Sequence, residues 1–470
     1  MDYRLLINGD LVEGASTLEV TDPATGRPFA RCARSDEALA NLAIAAAKAA
    51  FPAWAATPHA RRAELLARWA DALEARFADL AALLTSEQGK PSQEANFEVG
   101  AAIAALRTLG AIELADEVLV DDATDRIIEQ RTPLGVVATI MPWNFPLILL
   151  MVKAASALGT GNTVVAKPAP TTPLTTLLAA ELAADILPPG VFNTIVDAND
   201  LGPLITGHPD IAKVSFTGSS DTGRKVMAGA AGSLKRLTLE LGGNDVAILL
   251  DDADVAAAAP RIFAAATINA GQVCMAAKRI YAPRALYDAL CDELARLARE
   301  AVVDSGRNQG TQIGPLQNRQ QYEKVLEIIT DAKRRGRVIA GGEPLAREGY
   351  FIPPTVVRDL PDDARLVREE QFAPVIPVLA YDDLDDLVRR ANDSEYGLAG
   401  SIWTSNVERG AELARRIDAG TVWINKHLDL RFDVPFGGAK QSGIGREQGR
   451  EGLKEFTQVK VISAAKAPLA

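Results

Sequence analysis

Cysteine and histidine are scarce in this chain, with three of each among 470 residues. The small, odd number of cysteines does not support a disulfide framework. The histidines lie far apart in sequence, which argues against a His-rich metal site or a Ser-His-Asp triad. We therefore expect no metal, and one cysteine is available as a nucleophile. The residues are Cys32, Cys274, Cys291, His59, His208 and His427.

The chain also lacks a basic stripe and a long apolar run, and only 5% of its residues are aromatic. A net charge of −11, with Lys and Arg scattered, makes nucleic acid a poor partner. The apolar run 145–152 is far shorter than the ~20 residues that cross a bilayer. Residues 1–8 show no succession of basic, apolar and small residues typical of a secretion signal. The expectation is a cytoplasmic protein without a membrane partner.

The length of 470 residues, 48% of them apolar, is too great for a single ordinary hydrophobic core, so the sequence indicates two or three packed units. Its pattern is that of an α/β protein. Apolar residues three or four apart predict a helix from Leu66 to Leu84, which Gly89 and Pro91 stop. Beyond it, short apolar runs alternate with helical stretches, as in a doubly wound parallel sheet. The predicted strands are 135–141, 163–167, 193–196, 213–216 and 237–239.

A second α/β unit is predicted from Gly242 onwards, with a strand at 246–250 and a helix at 283–300. Outside the alternating pattern, 118–131 and 458–463 are typical of exposed strands. Edges of this kind often pair with another chain.

Four segments carry side chains suited to chemistry, and each also has a plain structural interpretation. Cys274 is either a buried small hydrophobe or a nucleophile, if its thiol can ionise. Glu240, ahead of two glycines at a strand end, is either a solvated turn charge or a base. Asn144, in a loop with two prolines, is either part of a stiff turn or an oxyanion donor. The loop 217–223 before a helix is either a plain turn or a pyrophosphate site.

Taken in order, these segments resemble the aldehyde dehydrogenase superfamily over nearly the whole chain. The likeness runs from Ile7-Asn8-Gly9 to Glu455-Phe456-Thr457, and the joint pattern is very specific. Further matching segments are Lys167-Pro168, Pro189-Gly190-Val191, 370–375, 392–398 and 435–443.

The resemblance implies a Rossmann-like cofactor domain, an α/β catalytic domain and a small β oligomerisation domain, assembled as a homodimer or homotetramer. The cofactor domain would comprise 1–112 and 133–241. The catalytic domain would comprise 242–435, with 436–455 returning towards the cofactor domain. Residues 113–132 and 456–470 would form the oligomerisation domain.

By the same resemblance, Cys274 is the nucleophile, Asn144 and the Cys274 N–H hold the oxyanion, and Glu240 is the general base. Lys153 and Glu447 match positions that relay protons to that base. The implied reaction oxidises an aldehyde to the carboxylic acid through a thiohemiacetal and a thioester, with hydride passing to a nicotinamide dinucleotide.

The implied cofactor is NAD or NADP. Many NAD-preferring members carry a Glu three residues after the lysine, and Pro170 stands there, which leaves the choice between the two open. Ala373 replaces a usual glycine, a change of one methyl group. The positions that match cofactor contacts are Ile140, Pro142, Trp143, Lys167, Gly218, Ser219, Gly223, Leu241, Gly242, Glu370 and Phe372.

Positions that match the substrate tunnel of the family are apolar, which predicts a small to medium uncharged aldehyde. Few aromatics are available for a quaternary ammonium, so betaine aldehyde is less favoured. His427 falls near the tunnel mouth and is interpreted as a bystander at the surface. The tunnel positions are Phe145, Ile148, Leu149, Val152, Val273, Met275, Leu428, Leu430 and Phe436.

Three alternatives stay open. A CoA-acylating semialdehyde dehydrogenase would hand the thioester to CoA, against which Glu240 argues. A phosphorylating or non-phosphorylating semialdehyde dehydrogenase, or one acting on succinate semialdehyde, would need cationic residues in the tunnel. A non-catalytic protein could also keep this fold.

Overall fold

The N-terminal part of the chain combines four short strands with four long helices. The computed structural model describes residues 3–467. The strands form two antiparallel pairs, β1 with β2 and β3 with β4. The elements are β1 (Leu5–Ile7), β2 (Asp10–Val12), β3 (Ser16–Asp22), β4 (Arg27–Arg34), α1 (Glu37–Ala55), α2 (His59–Ala75), α3 (Phe77–Gln88) and α4 (Ser92–Gly110).

Two expectations for this region are wrong. Helix α1 is long and apolar enough to cross a membrane by length and composition alone, although no run of that kind was expected. Its buried side chains, among them Ile44 and Trp54, pack into the largest hydrophobic core of the protein. The helix predicted from Leu66 to Leu84 is broken at Arg76, whose backbone angles, φ −111° and ψ 23°, are not helical. The apolar spacing continues across the break and therefore does not reveal it.

A six-stranded sheet follows, with five parallel strands in the order β11-β10-β7-β8-β9 and one antiparallel edge strand, 443–444. All five predicted strands of the doubly wound sheet are present, with no end shifted by more than two residues. The elements are β5 (Glu117–Asp121), β6 (Asp125–Pro133), β7 (Val136–Ile140), α5 (Pro146–Gly159), β8 (Thr163–Lys167), α6 (Leu174–Ala184), β9 (Phe192–Thr194), α7 (Gly202–Gly207), β10 (Ile211–Thr217), α8 (Ser220–Ala230) and β11 (Arg236–Glu240).

The chain then builds a seven-stranded sheet in the order β14-β15-β16-β13-β12-β18-β19, parallel except for β14. Two further cores lie on its faces. The elements are β12 (Asp245–Leu249), α9 (Val255–Thr267), β13 (Ala277–Pro283), α10 (Arg284–Glu300), α11 (Arg319–Arg335), β14 (Arg337–Ala340), β15 (Thr355–Arg358), α12 (Arg365–Arg368), β16 (Val375–Tyr381), α13 (Leu384–Asn392), β17 (Tyr396–Gly397), β18 (Ala399–Trp403), α14 (Val407–Ala414) and β19 (Thr421–Ile424).

The C-terminal segment returns to the first sheet and ends in a small antiparallel sheet. Its elements are β20 (Ala439–Lys440), β21 (Gly443–Ile444), α15 (Gly449–Lys454) and β22 (Thr457–Ala465). Strand β22 pairs with β6, and β6 pairs with β5. Val118, Val459 and Val461 are exposed on these strands. The α/β fold class is as expected, whereas the domain boundaries stay predictions, and residues 1–2 and 468–470 of the proposed domains lie outside the described residues.

Candidate active site

A cavity of about 890 Å³ lies where the carboxyl ends of the first sheet face the second sheet. In the first sheet the strand order reverses between β7 and β10, which is the point where parallel α/β sheets bind ligands. Loops after all five parallel strands of that sheet line it, together with the start of helix 319–335 and the segments around Cys274 and Glu370. The lining residues are Pro142, Trp143, Asn144, Ala169, Pro170, Thr171, Asn199, Thr217, Gly218, Ser219, Asp221, Leu241, Gly242, Cys274, Asn318, Arg319, Gln320, Gln321, Lys324, Glu370 and Phe372.

Cys274 reaches this cavity from a tightly bent segment between α9 and β13. Asn269, Ala270 and Gly271 all have left-handed backbones, with φ of 53°, 54° and 71°. At Gly271 a Cβ would lie 2.4 Å from the backbone of Ala373, so only glycine fits there. Ala270 has no such freedom, and its left-handed conformation costs roughly 1–2 kcal/mol. The surrounding packing therefore holds the approach to Cys274 in a shape that the local sequence alone would not choose.

Lys278, four residues after Cys274, fixes the other side of this segment. Its ammonium group, which is almost fully buried, donates to the Cys274 carbonyl oxygen and to Glu370 Oε1, the latter at 2.9 Å. The Gly243 N–H donates to the same carboxylate oxygen at 3.0 Å. Glu370 is thus held at the wall of the cavity, and Lys278 bonds both to Glu370 and to the backbone of Cys274.

Asn144 is held rigidly at the end of the loop after β7. Its side-chain Nδ2 donates to the Gln272 carbonyl at 2.9 Å, two residues before Cys274. Its own carbonyl accepts from Lys90 Nζ at 2.9 Å and from Asn269 Nδ2 at 3.0 Å. Because both the main chain and the amide are bonded, the side chain has one defined position beside Cys274.

Glu240 ends β11 with its carboxyl group buried, and its Oε1 has no hydrogen-bond partner within residues 3–467. Burial raises the pKa of Glu240 well above its usual value, and the charge of Glu447 raises it further while Lys153 opposes the rise. The Cys274 thiol is near enough to this carboxyl to oppose part of the rise in its pKa. Burial also raises the pKa of the Cys274 thiol, Glu240 adds to the rise, and Lys278 opposes it.

Lys153 and Glu447 form a buried ion pair. Ser215, on β10, joins the pair, because its hydroxyl accepts from Lys153 Nζ at 3.2 Å and donates to Glu447 Oε1 at 3.4 Å. Backbone hydrogen bonds of 2.8 and 2.7 Å with Phe436 hold Glu447 in place. The structure therefore brings the predicted pair close enough to Glu240 for each charge to affect its pKa.

Eight of the eleven predicted cofactor positions line the cavity, and Ile140, Lys167 and Gly223 do not. Ile140 ends β7 with its side chain buried, and Gly223 packs against Leu241. Lys167 forms an ion pair of 2.6 Å with the buried Asp197. Its ammonium group is thus already partnered, and its predicted contact with the cofactor stays a prediction.

The groups around the cavity suit a dinucleotide. Helix α8 begins after Ser219, whose hydroxyl accepts from the Thr222 N–H at 3.3 Å, and a helix N-terminus favours phosphate. At Gly242 a Cβ would lie 2.4 Å from Glu370 Oε2, so the backbone leaves open a space that a side chain would fill. Trp143 and Phe372 meet edge to face at 5.3 Å.

None of the predicted tunnel residues is among those that line this cavity in the described part of the chain. Val152, Val273 and Phe436 are buried, and Phe145 packs under Lys90 Nζ, which lies 3.8 Å from its ring centre. The tunnel and its apolar specificity therefore stay a prediction.

Sequence reasoning missed Lys278, Ser215 and the contacts of His427. A lysine inside the apolar strand segment 277–283 was a usable signal, because lysine is almost never buried without a partner. The interpretation of His427 as a surface bystander is wrong, since the residue is partly buried and both ring nitrogens are bonded. Its partners come from strand β18 and from the residue after Cys274, which sequence separation conceals.

Comparison with known proteins agrees with this architecture. The model of the aldehyde dehydrogenase family matches residues 11–462. A betaine aldehyde dehydrogenase of Rhizobium etli is 39% identical over 476 residues, covering 99% of this chain and 97% of the relative. The structure of an aldehyde dehydrogenase of Bacillus cereus in complex with NAD+ superposes with a TM-score of 0.97 at 37% identity, covering 99% of this chain and 97% of that one.

A solved NADP-dependent enzyme of E. coli has a TM-score of 0.96 at 35% identity, covering 99% of this chain and 98% of its own. The family match spans nearly the whole chain, and these relatives share the fold over almost their full length. The chain therefore belongs to the aldehyde dehydrogenase family, as an oxidoreductase that oxidises aldehydes to carboxylic acids with NAD or NADP.

Proposed function

We propose that Cys274 is the nucleophile of this reaction, with Asn144 and the Cys274 N–H as oxyanion donors and Glu240 as the base that releases the product. One observation carries the proposal. The Cys274 thiol and the Asn144 amide both line the cavity, and the buried Glu240 carboxyl lies close enough to the thiol for each group to affect the pKa of the other. Each matches the chemistry that its part of the reaction requires.

In the first half of the reaction, the sulfur of Cys274 bonds to the aldehyde carbon, and the carbonyl oxygen takes up the electron pair as an oxyanion. The thiol proton passes to solvent in the cavity as the thiolate forms, and the ammonium group of Lys278 favours that charge. Donors aimed at an oxyanion are worth ~10²–10³ each in rate. Trp143, Ser219 and Glu370 would hold the nicotinamide dinucleotide, whose chemistry is to accept hydride, and loss of that hydride from the aldehyde carbon would leave a thioester on Cys274.

In the second half, Glu240 takes a proton from water as the water oxygen attacks the thioester carbon. The carbon–sulfur bond breaks, the carboxylic acid leaves, and the sulfur of Cys274 is released as a thiolate. The pair Lys153–Glu447, joined by Ser215, gives Glu240 a buried route for that proton. Water as the acceptor distinguishes this enzyme from a CoA-acylating one, which would need no base at Glu240.

For the substrate we propose a small to medium uncharged aldehyde, because the residues at the predicted tunnel positions are apolar. A cytoplasmic homodimer or homotetramer is the proposed form, with the exposed face of β22 and β5 as its contact. Size measurement in solution tests the assembly, and saturation kinetics that favour a dicarboxylic semialdehyde would contradict the substrate class.

The test of the function follows the absorbance of reduced cofactor with NAD and NADP separately, against short aliphatic aldehydes and benzaldehyde. We expect turnover by the wild type and its loss in Cys274→Ala. Cys291→Ala is the matched control, because Cys291 is fully buried in α10 and away from the cavity. Equal turnover by wild type and Cys274→Ala would refute the nucleophile. Turnover only after CoA is added would favour the CoA-acylating alternative.

A further inference from the structure

His427 lies in the loop after β19 and touches both strand β18 and the segment that carries Cys274. One ring nitrogen, Nδ1, is 2.8 Å from the Ser401 hydroxyl, and Nε2 is 2.8 Å from the Met275 carbonyl oxygen. The indole nitrogen of Trp403 is 3.0 Å from the same hydroxyl. A histidine that bridges a strand and the residue next to a candidate nucleophile has more than a packing role.

The direction of each hydrogen bond follows from what each group can do. A carbonyl oxygen only accepts, so His427 Nε2 carries the hydrogen that faces Met275. An indole N–H only donates, so Ser401 accepts from Trp403 and its own hydrogen is directed to His427 Nδ1. Burial lowers the pKa of His427 to about 4, which agrees with a neutral ring in this tautomer at physiological pH.

The chain of bonds continues through the peptide units around Cys274. The peptide that accepts from His427 at the Met275 carbonyl donates at its other end, where the Ala276 N–H meets the Val273 carbonyl at 3.1 Å. The Val273 carbonyl belongs to the peptide whose N–H is that of Cys274. Because C=O and N–H of a trans peptide point in opposite directions, fixing this carbonyl fixes the direction of the Cys274 N–H.

We propose that His427 and Ser401 are positioning residues that orient the Cys274 N–H towards the oxyanion. Every bond from Trp403 through Ser401 and His427 to the Cys274 N–H runs donor to acceptor in one direction, so each bond polarises the next. Lys278 does not replace this link, because it holds the Cys274 carbonyl, which belongs to the following peptide. This inference rests on the proposed function, in which that N–H stabilises the oxyanion.

The test compares two reactions of the same thiol. Acylation by a p-nitrophenyl ester forms an oxyanion, whereas alkylation by iodoacetamide displaces iodide and forms none. We expect His427→Phe, which keeps a ring of similar size, to lower the acylation rate and the aldehyde kcat/KM about tenfold, because a misdirected donor loses part of its ~10²–10³ contribution. The alkylation rate should stay within about twofold. His427→Gln, whose amide can still donate to Met275, should recover most of the loss.

Ser401→Ala provides a second variant in case the aromatic substitution does not fold, and it should lower acylation in the same selective way. His208→Phe is the control, since this histidine is remote from the cavity. An equal loss of acylation and alkylation would refute the proposal by showing that His427 only supports the segment around Cys274. No loss of acylation would refute the proposed chain of hydrogen bonds. Absence of Cys274-dependent acylation in the wild type would instead refute the proposed function, so the two failures are distinguishable.

Discussion

Replacing Glu240 by Gln separates the two halves of the proposed reaction. The amide has the size of the carboxyl and fits the same buried place at the end of β11, but it cannot accept the proton of water. A positioned base contributes about 10²–10⁴ in rate, which corresponds to roughly 3–5 kcal/mol of barrier. We expect kcat to fall by that factor because the thioester persists.

The formation of the thioester should survive the same change. Glu240 raises the pKa of the Cys274 thiol, so its replacement by a neutral amide should leave the thiol at least as easy to ionise. In stopped-flow measurements, the variant should release about one reduced cofactor per subunit in a fast burst and then turn over slowly. Alkylation of Cys274 by iodoacetamide should be as fast as in the wild type or faster.

Two results would refute this reasoning. A burst that slows in parallel with kcat, together with slower alkylation, would mean that Glu240 acts mainly by taking the thiol proton. An unchanged kcat would mean that water is activated elsewhere. Glu370→Gln is the informative comparison, because Glu370 is a carboxylate in the lining of the cavity and is bonded to Lys278 and Gly243. Its loss should raise the KM for the cofactor and leave no long-lived thioester.

Three further changes give distinct readouts. Glu447→Gln removes a negative charge that raises the pKa of Glu240 and frees Lys153 to lower it, so the acid limb of the kcat profile should move to lower pH; an unmoved limb would contradict the coupling. Pro170→Glu should lower kcat/KM with NADP at least about tenfold relative to NAD, because a carboxylate at the cavity wall repels a 2′-phosphate; equal effects on both cofactors would contradict this contact. Burial lowers the pKa of Lys213 to about 7, so from pH 7 to about 10 the unfolded chain holds a proton that the folded one lacks. The free energy of unfolding of the wild type should therefore rise over that range relative to Lys213→Met, as measured by denaturant titration; parallel pH curves would refute the shift.

The sheet was predictable because its central strands β7 and β8 are buried along their whole length and consist mostly of apolar residues. Strand β8, Thr163–Lys167, matches its prediction at both ends. Strand β9 is displaced towards the N-terminus by one or two residues, because Phe192 pairs with Val164 and the pairing, not the apolar run, sets its limits. Apolar content locates a buried strand, and its partner strand decides where it begins and ends.

The bend before Cys274 shows where local sequence stops being informative. Gly271 signals an unusual backbone path, and the structure confirms one. The path begins earlier, at Asn269 and Ala270, where Ala270 carries no local signal for a left-handed conformation. The cause is distant in sequence, because the Asn269 N–H donates to the partly buried Glu94 at 2.9 Å and the Asn269 side chain donates to the Asn144 carbonyl.

The same dependence on distant partners explains how the site can use a thiol whose pKa is raised. Cys274 lies between the carboxyl of Glu240, which disfavours a thiolate, and the ammonium of Lys278, which favours it. Burial makes two adjacent anions costly, so the thiolate forms most readily when Glu240 holds the proton. The pKa of Glu240 is in turn raised by Glu447 and lowered by Lys153. Thiol, carboxyl and ion pair therefore share their protons, and a substitution at any one of them should change the pH dependence of the others.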